Sequence, residues 1–419
     1  MQTIATRLLT LLGAFAIVVL NAQYLGSEGQ GGIALINLGI LLIMSVSNFI
    51  GGGAASYLVP RIGASRLILP AYIWALASSV VFYIIFNMFL IIPSKYIIAT
   101  TILAFMHSLF SFHMGILIGE EKIKQYNILQ IIQIFGLLFF LLFFYKILHW
   151  VEIWTFIRSS IISFSVVLLV SIYFIRGHYR KIESTSFKSS FSDLFKYGKY
   201  AQLSNVFQLL NYRLNLFMLE SLIPMSRSLV GVYSVGMNVS DAVLNFGRSL
   251  SLVQYSKILN QEDEEQKNTL MTTLFFKLSL GITILLVAVI NIIPEDFYLF
   301  IFSDSFVGIK EVIRYMSIGV MALSGSTIFA HYLSGKGLYK YNTVGSAIAL
   351  IGTIFAGYFL IKGWQLKGAS MSFSLAMVLQ LTYLTYTFLK ISKLKLKDLW
   401  YKQDDLIMLK AVFIKKRKS

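Results

Sequence analysis

Long apolar segments recur along this chain and limit its possible folds more than any other feature. Each has about 18 residues or more, the length that a helix needs to cross a hydrocarbon core about 30 Å thick. A chain that is 57% hydrophobic and 13% charged cannot bury so much apolar surface in a water-soluble core. The segments lie near residues 5–22, 32–51, 68–92, 97–118, 128–148, 155–175, 203–222, 229–248, 274–293, 312–333, 341–361 and 370–390. We therefore predict an all-α integral membrane protein with about twelve transmembrane helices.

The lysines and arginines predict the orientation of these helices. If the N-terminus is inside, 26 of the 36 basic residues fall in inner segments, which indicates that both termini are cytoplasmic. Many of them lie after residue 390, where a basic tail is expected to contact anionic lipid head groups. The net charge of +17 therefore requires no nucleic acid partner. Cysteine is absent from the sequence, which excludes disulfides and thiolate chemistry.

Two halves of six spans are predicted on either side of a polar, basic segment. An N-terminal six-helix bundle covers residues 1–176, a cytoplasmic linker with a short amphipathic helix covers 177–202, and a C-terminal bundle covers 203–390. The basic tail occupies 391–419. An offset of 199 residues aligns Gly32 with Gly231, in glycine-bearing turns that precede the second span of each half. Repeated halves are typical of transporters, so we expect two pseudo-symmetric bundles around a central cavity.

Polar residues at bilayer depth are costly, so functional groups are sought among them. In the seventh span one helical face carries Gln208, Asn211 and Asn215, and the opposite side carries Arg213 and Glu220. A helix that is polar on two faces is expected in the interior of the bundle. At 1.5 Å per residue, Arg213 is predicted roughly 15 Å deep.

The eighth span carries a second polar face. Asn238, Asp241, Asn245 and Arg248 follow one another at helical spacing, and Asp241 is predicted at nearly the depth of Arg213. Two interpretations remain open: an interhelical ion pair that only holds the bundle together, or a hydrophilic cavity whose arginine attracts an anionic group.

Other polar residues of the spans allow weaker inferences. Arg7 in the first span either lines the same cavity or extends to the inner interface. Arg248 and Lys277 are interpreted as cations that reach the interface, and His107 as a histidine hydrogen-bonded to a neighbour. Phosphate-loop, zinc-protease and nucleophile-elbow motifs are absent, and outer carboxylates are scattered over short turns, so catalysis is disfavoured.

Four stretches of the sequence resemble the Wzx-type polysaccharide-unit flippases of the multidrug/oligosaccharidyl-lipid/polysaccharide exporter superfamily. They are YLGSEGQGGIAL, NYRLNLFMLESLIPMSRSLVGVYSVGMNVSDAV, SIGVMALSGSTIFAHYLSGKGLYKYN and WQLKGASMSFSLA. The residues that match structural positions of the family are Gly26, Gly231, Tyr233, Gly335, Gly337, Gly368 and Ala369. Arg213 matches the family's intramembrane arginine. Asn215 stands where the family often has aspartate, so Asp241 or Glu220 becomes the candidate for ion coupling.

The resemblance implies movement of an undecaprenyl-diphosphate-linked oligosaccharide across a bacterial plasma membrane, from the inner to the outer leaflet. It implies Arg213 and Arg7 as phosphate-attracting groups and the asparagines and Gln208 as sugar contacts. No cofactor is implied, but coupling to protons or sodium is expected, and other polysaccharide-assembly proteins are possible partners besides membrane lipids. The alternatives are a drug or organic-cation exporter of the same superfamily, an enzyme of polysaccharide assembly, and a non-transporting membrane scaffold.

Overall fold

The computed structural model describes residues 2–179, 187–260 and 265–401, which form twelve α-helices and no strand. The helical class follows from the apolar sequence, because in lipid each backbone N–H must find its acceptor within the same helix. The helices are α1 Gln2–Ser47, α2 Gly52–Ile62, α3 Ala64–Phe89, α4 Ile97–Gly119, α5 Ile123–Leu142, α6 Ile153–Tyr179, α7 Phe187–Leu222, α8 Arg227–Asn260, α9 Glu265–Ile292, α10 Glu295–Phe302, α11 Ile309–Gly335 and α12 Tyr339–Ser392.

Two helices, α1 and α12, each contain two of the predicted spans. Their lengths of 46 and 54 residues correspond to roughly 70 and 80 Å, about twice what one crossing of the bilayer needs. α1 bends at Gly26, where φ is 65°, and α12 bends at Trp364 and Gln365, where φ of Gln365 is 43°. A short turn of non-helical backbone therefore takes the place of a loop between the two spans.

The prediction of an all-helical membrane protein is confirmed. Each of the twelve predicted apolar segments lies mainly within one of the helices. In the described part of the chain, eight helical stretches are long and apolar enough to cross a membrane. α7 and α8 are not among them, because charged and amide side chains interrupt their apolar sequence.

The amphipathic helix expected in the linker is part of a longer element. α7 begins at Phe187, inside the predicted linker, and continues without a break into the seventh span. Residues 180–186 of the linker and residues 402–419 of the basic tail lie outside the described residues.

The chain divides into two compact units. The first unit comprises the described residues of Met1–Leu209, Leu219–Ser234 and Asp296–Val307. The second comprises Leu210–Met218, Val235–Glu295 and the described residues from Gly308 onward.

Each unit has an apolar core of its own. In the first unit α4 packs against α1, α2, α3 and α6. In the second unit α11 packs against α9 and α12. There the ring of Phe329 stacks between Phe276 and Phe388, with ring centroids 4.7 Å apart on both sides.

Candidate functional site

Asparagines of α7 lie inside the second unit. Asn211 and Asn215 are both fully buried. The Asn211 side-chain amide donates a hydrogen bond to the carbonyl of Ser346 on α12, 2.9 Å away, whereas its Oδ1 has no partner among the described residues. Asn211 therefore joins α7 to α12 and keeps one buried acceptor available.

Arg248 and Asp241 of α8 form an ion pair beside Tyr212 of α7, in the same unit. Arg248 places a guanidinium nitrogen 3.4 Å from the Asp241 carboxylate and 3.2 Å from the Tyr212 hydroxyl. The Arg248 and Asp241 side chains are 41% and 25% exposed, so both are partly open to a ligand. Arg248 therefore lies in a polar cluster, and its extension to the interface stays a prediction.

Arg213 completes this cluster, which we call the α7–α8 polar cluster and define as Tyr212, Arg213, Asp241 and Arg248. Arg213 is half-buried and interacts electrostatically with Asp241 and with Tyr212. Two guanidinium groups against one carboxylate leave the cluster with a net positive charge. Such a cluster attracts anions, and arginine donates paired hydrogen bonds to phosphate or carboxylate oxygens.

The other candidates are distributed as follows. Asn238 and Asn245 are half-buried on α8 of the second unit, and Gln208 is exposed on the part of α7 that belongs to the first unit. Arg7 lies within α1, but its side chain is outside the described residues.

Glu220 belongs to the first unit, whereas Arg213 belongs to the second. Its carboxylate accepts a hydrogen bond from Arg227 at 2.8 Å, where α7 ends and α8 begins. The same turn is fixed to α1, because Ser27 and Ser228 hydroxyls lie 2.6 Å apart. Glu220 therefore stabilises the connection between α7 and α8.

Two further residues that the sequence singled out have the following surroundings. Lys277 is 3% exposed, and its backbone carbonyl accepts a hydrogen bond from the Tyr401 hydroxyl. The His107 ring packs on Phe164, with centroids 3.7 Å apart. Tyr212 was not singled out by the sequence, because a tyrosine beside an arginine is unremarkable until Arg248 is seen to turn toward it.

We compared the chain and its fold with known proteins. No protein-family model matches the chain, and no curated protein matches it either. A solved inward-facing structure of a multidrug resistance MATE family transporter of the MOP superfamily matches with a TM-score of 0.74 and 16% identity, over 98% of this chain and 96% of that one. The fold is that of the MATE transporters.

Other solved structures agree with this fold. The lipid II flippase MurJ, in an inward closed conformation, matches with a TM-score of 0.70 and 16% identity, over 100% of this chain and 92% of that one. A MOP superfamily transporter from Pyrococcus furiosus, described as having a binding pocket of reverse polarity that suggests a different function, matches with a TM-score of 0.63 and 15% identity, over 94% of this chain and 95% of that one. Identities this low show the fold and leave the substrate to be argued from the site.

Proposed function

We propose that this protein is a flippase that moves undecaprenyl-diphosphate-linked oligosaccharide repeat units from the inner to the outer leaflet of a bacterial plasma membrane. The observation that carries the proposal is the net positive charge of the α7–α8 polar cluster, where Arg213 and Arg248 face one carboxylate, Asp241. A cation at bilayer depth is costly and is retained where it binds a partner. A diphosphate is the anionic group that a lipid-linked oligosaccharide brings into the membrane.

The physics of the cargo fits a polar cleft beside the lipid. Diphosphate and sugar groups cannot enter hydrocarbon without losing their hydrogen bonds, whereas a polyprenyl tail stays in the bilayer throughout. Arg213, with Arg7, is proposed to bind the diphosphate through its planar donor fork. Asn211 and Asn215 are buried, Asn238 and Asn245 are half-buried and Gln208 is exposed, and all five are proposed as sugar contacts on the strength of the resemblance.

The comparisons support a transporter of this kind. One structure with the same fold is a flippase of lipid II, and others are multidrug transporters. The proposed mechanism is alternating access by two six-helix bundles, which pseudo-repeated transporters use. Both termini are proposed to be cytoplasmic, and membrane lipids and other polysaccharide-assembly proteins are the proposed partners.

A drug or organic-cation exporter is the second candidate, favoured by the MATE match and by the Asp241 carboxylate. Arg248 contacts that carboxylate and Arg213 adds a second cation, so an organic cation would be repelled by the cluster. An enzyme of polysaccharide assembly is disfavoured by the outer carboxylates. Of these, Glu152 is paired with Arg158, and Glu295 accepts a hydrogen bond from the Gly308 amide.

The test is reconstitution of the full chain into liposomes that contain a labelled lipid-linked oligosaccharide. We expect transfer of the label to the opposite leaflet, measured by access of a membrane-impermeant glycosidase or lectin. A fluorescent organic cation is the matched control and should not be moved. Cation efflux without leaflet transfer of the glycolipid would replace the flippase with the exporter.

A further inference from the structure

Four hydrogen-bonded side chains connect α3, α4 and α6 within the first unit. The hydrogen bonds run from Tyr179 to Tyr72, then to His113, and end at Ser171, and we call these four side chains the relay. His113 and Ser171 are fully buried, whereas Tyr179 is the last residue of α6. His113 lies six residues before the end of α4, about 9 Å along the helix. This relay therefore leads from a helix end that the basic residues predict to be cytoplasmic into the membrane interior.

The hydrogen bonds of the relay have one consistent direction. The Ser171 hydroxyl donates to the carbonyl of Leu168 at 2.8 Å, so its oxygen accepts from Nδ1 of His113, 2.6 Å away. A neutral imidazole that donates from Nδ1 has an acceptor at Nε2. Tyr72 therefore donates its hydroxyl proton to Nε2 of His113 and accepts the hydroxyl proton of Tyr179.

The titratable neighbours of His113 come from two helices. The titratable groups that face it are Tyr72 from α3 and, through Tyr72, Tyr179 from α6. Among the described residues, α1, α2 and α5 give it no hydrogen bond and no ion pair. Within the described chain Tyr72 is therefore the titratable group that can deliver a proton to Nε2 of His113.

Ionic groups lie next to the Tyr179 end of the relay. His178, which precedes Tyr179, places Nε2 2.7 Å from Oε1 of Glu120, and the Lys122 amine lies 2.9 Å from Oε2 of the same carboxylate. Glu120 directly follows α4, so these ionic groups stand at the same helix ends as Tyr179.

We propose that His113 is a proton-binding site that exchanges its proton with the predicted cytoplasmic side through Tyr72 and Tyr179. A proton added to the Tyr179 oxygen releases the Tyr179 hydroxyl proton to Tyr72, and Tyr72 passes its own proton to Nε2 of His113. Both tyrosines end neutral, and His113 gains one proton. The relay ends there, because the Ser171 proton is directed at a backbone carbonyl. The role of this site in driving transport rests on the function proposed above.

The first experiment needs no substrate. Nitrogen-15 spectra of histidine-labelled protein in nanodiscs are recorded over a pH series, and His113→Gln identifies the His113 signals. We expect a neutral ring protonated at Nδ1 at high pH that becomes an imidazolium as the pH falls. Tyr72→Phe should slow its exchange with water, whereas Ser171→Ala, which loses only the inner hydrogen bond, should not. A ring that stays neutral down to the pH at which the protein unfolds would overturn the proposal.

The second experiment measures coupling in the liposomes described above. A pH difference of about one unit across the membrane biases an equilibrium by up to roughly tenfold for each proton carried. We expect this bias in the natural protein and in Ser171→Ala, and its loss in His113→Gln with leaflet transfer retained. A bias that survives His113→Gln would refute the coupling role. Normal titration of His113 without any glycolipid transfer would instead refute the flippase and leave the proton site standing.

Discussion

Arg248 turns back along α8 to Asp241, seven residues earlier, and holds its guanidinium nitrogen 3.4 Å from the carboxylate. The same nitrogen contacts the Tyr212 hydroxyl of α7 at 3.2 Å. The Arg248 side chain therefore joins two helices of the second unit and compensates the negative charge of Asp241. The pair remains partly exposed, which is the condition for a cluster that both stabilises the protein and binds an anion.

Replacing Arg248 by alanine should lower the free energy of unfolding by about 1–2 kcal/mol, because Asp241 loses its ion pair and keeps only its electrostatic interaction with Arg213. Thermal unfolding of the purified protein in detergent gives this value. Adding Asp241→Asn to Arg248→Ala should recover part of the loss, since the carboxylate that lost its ion pair is then replaced by a neutral amide. Strictly additive losses in the double variant would contradict the pairing.

Replacing Arg213 by alanine should abolish glycolipid transfer and leave the protein inserted and folded. A hydrogen bond to a charged group is worth about 1.5–3 kcal/mol, so a loss of transfer of at least roughly tenfold is expected. Arg213→Lys keeps the charge without the planar fork and should retain only part of the activity.

The matched control for Arg213 is Arg158→Ala. Arg158 is also an arginine of the described chain, but it is paired with Glu152 and lies over the Trp150 ring at the protein surface. Transfer by the Arg158 variant should equal that of the natural protein. Equal transfer by the Arg213 and Arg158 variants would remove Arg213 from the mechanism.

Gly231→Ala should destabilise the first unit by about 3 kcal/mol, the upper end for overpacking. An added Cβ at Gly231 would lie 1.8 Å from the Ser27 carbonyl oxygen, which is backbone and cannot rotate away. Gly177 is the matched control, since it is also helical and has nothing within 4 Å of an added Cβ. Gly177→Ala should be neutral or slightly stabilising, and unfolding curves of the two variants compare them directly.

The two helix bends predict substitutions of opposite sign. Gly26→Ala should cost about 1–3 kcal/mol, because a Cβ disfavours the backbone found there, with φ of 65° and ψ of −172°. Gln365→Gly should stabilise the protein by about the same amount, since its φ of 43° is strained for glutamine and its side chain is exposed. Gln365→Ala keeps the Cβ and should bring no gain. Unfolding in detergent measures all three.

Much of the fold was predictable because a backbone in lipid must form its hydrogen bonds within the protein. Apolar segments of bilayer length become helices, and the twelve predicted segments did so. A helix was predicted in the linker, but its continuity with the seventh span was not, since polar and basic residues such as Lys188 give no apolar signal even where a helix continues. The bend at Gln365 could not be predicted, because glutamine does not mark left-handed backbone as glycine does at Gly26.

The candidate site was predictable by residue type and less by contact. Spacing alone placed Asn238, Asp241 and Asn245 on one face of α8. It did not show that Arg248 returns to Asp241, because a long side chain can point along the helix in either direction. It also selected His107 in α4 and missed His113, whose partners come from α3 and α6 and are far away in sequence.

The bends in α1 and α12 determine how the topology of this protein is best mapped. An epitope tag inserted near Gly26 or Trp364 would fall in a tight bend between two spans, which has no loop to absorb the insertion. A single introduced cysteine adds no backbone, and the natural chain has none to compete for a thiol reagent. Labelling of exposed positions such as Glu28 from one side of a sealed vesicle is therefore the assay that leaves both bends intact.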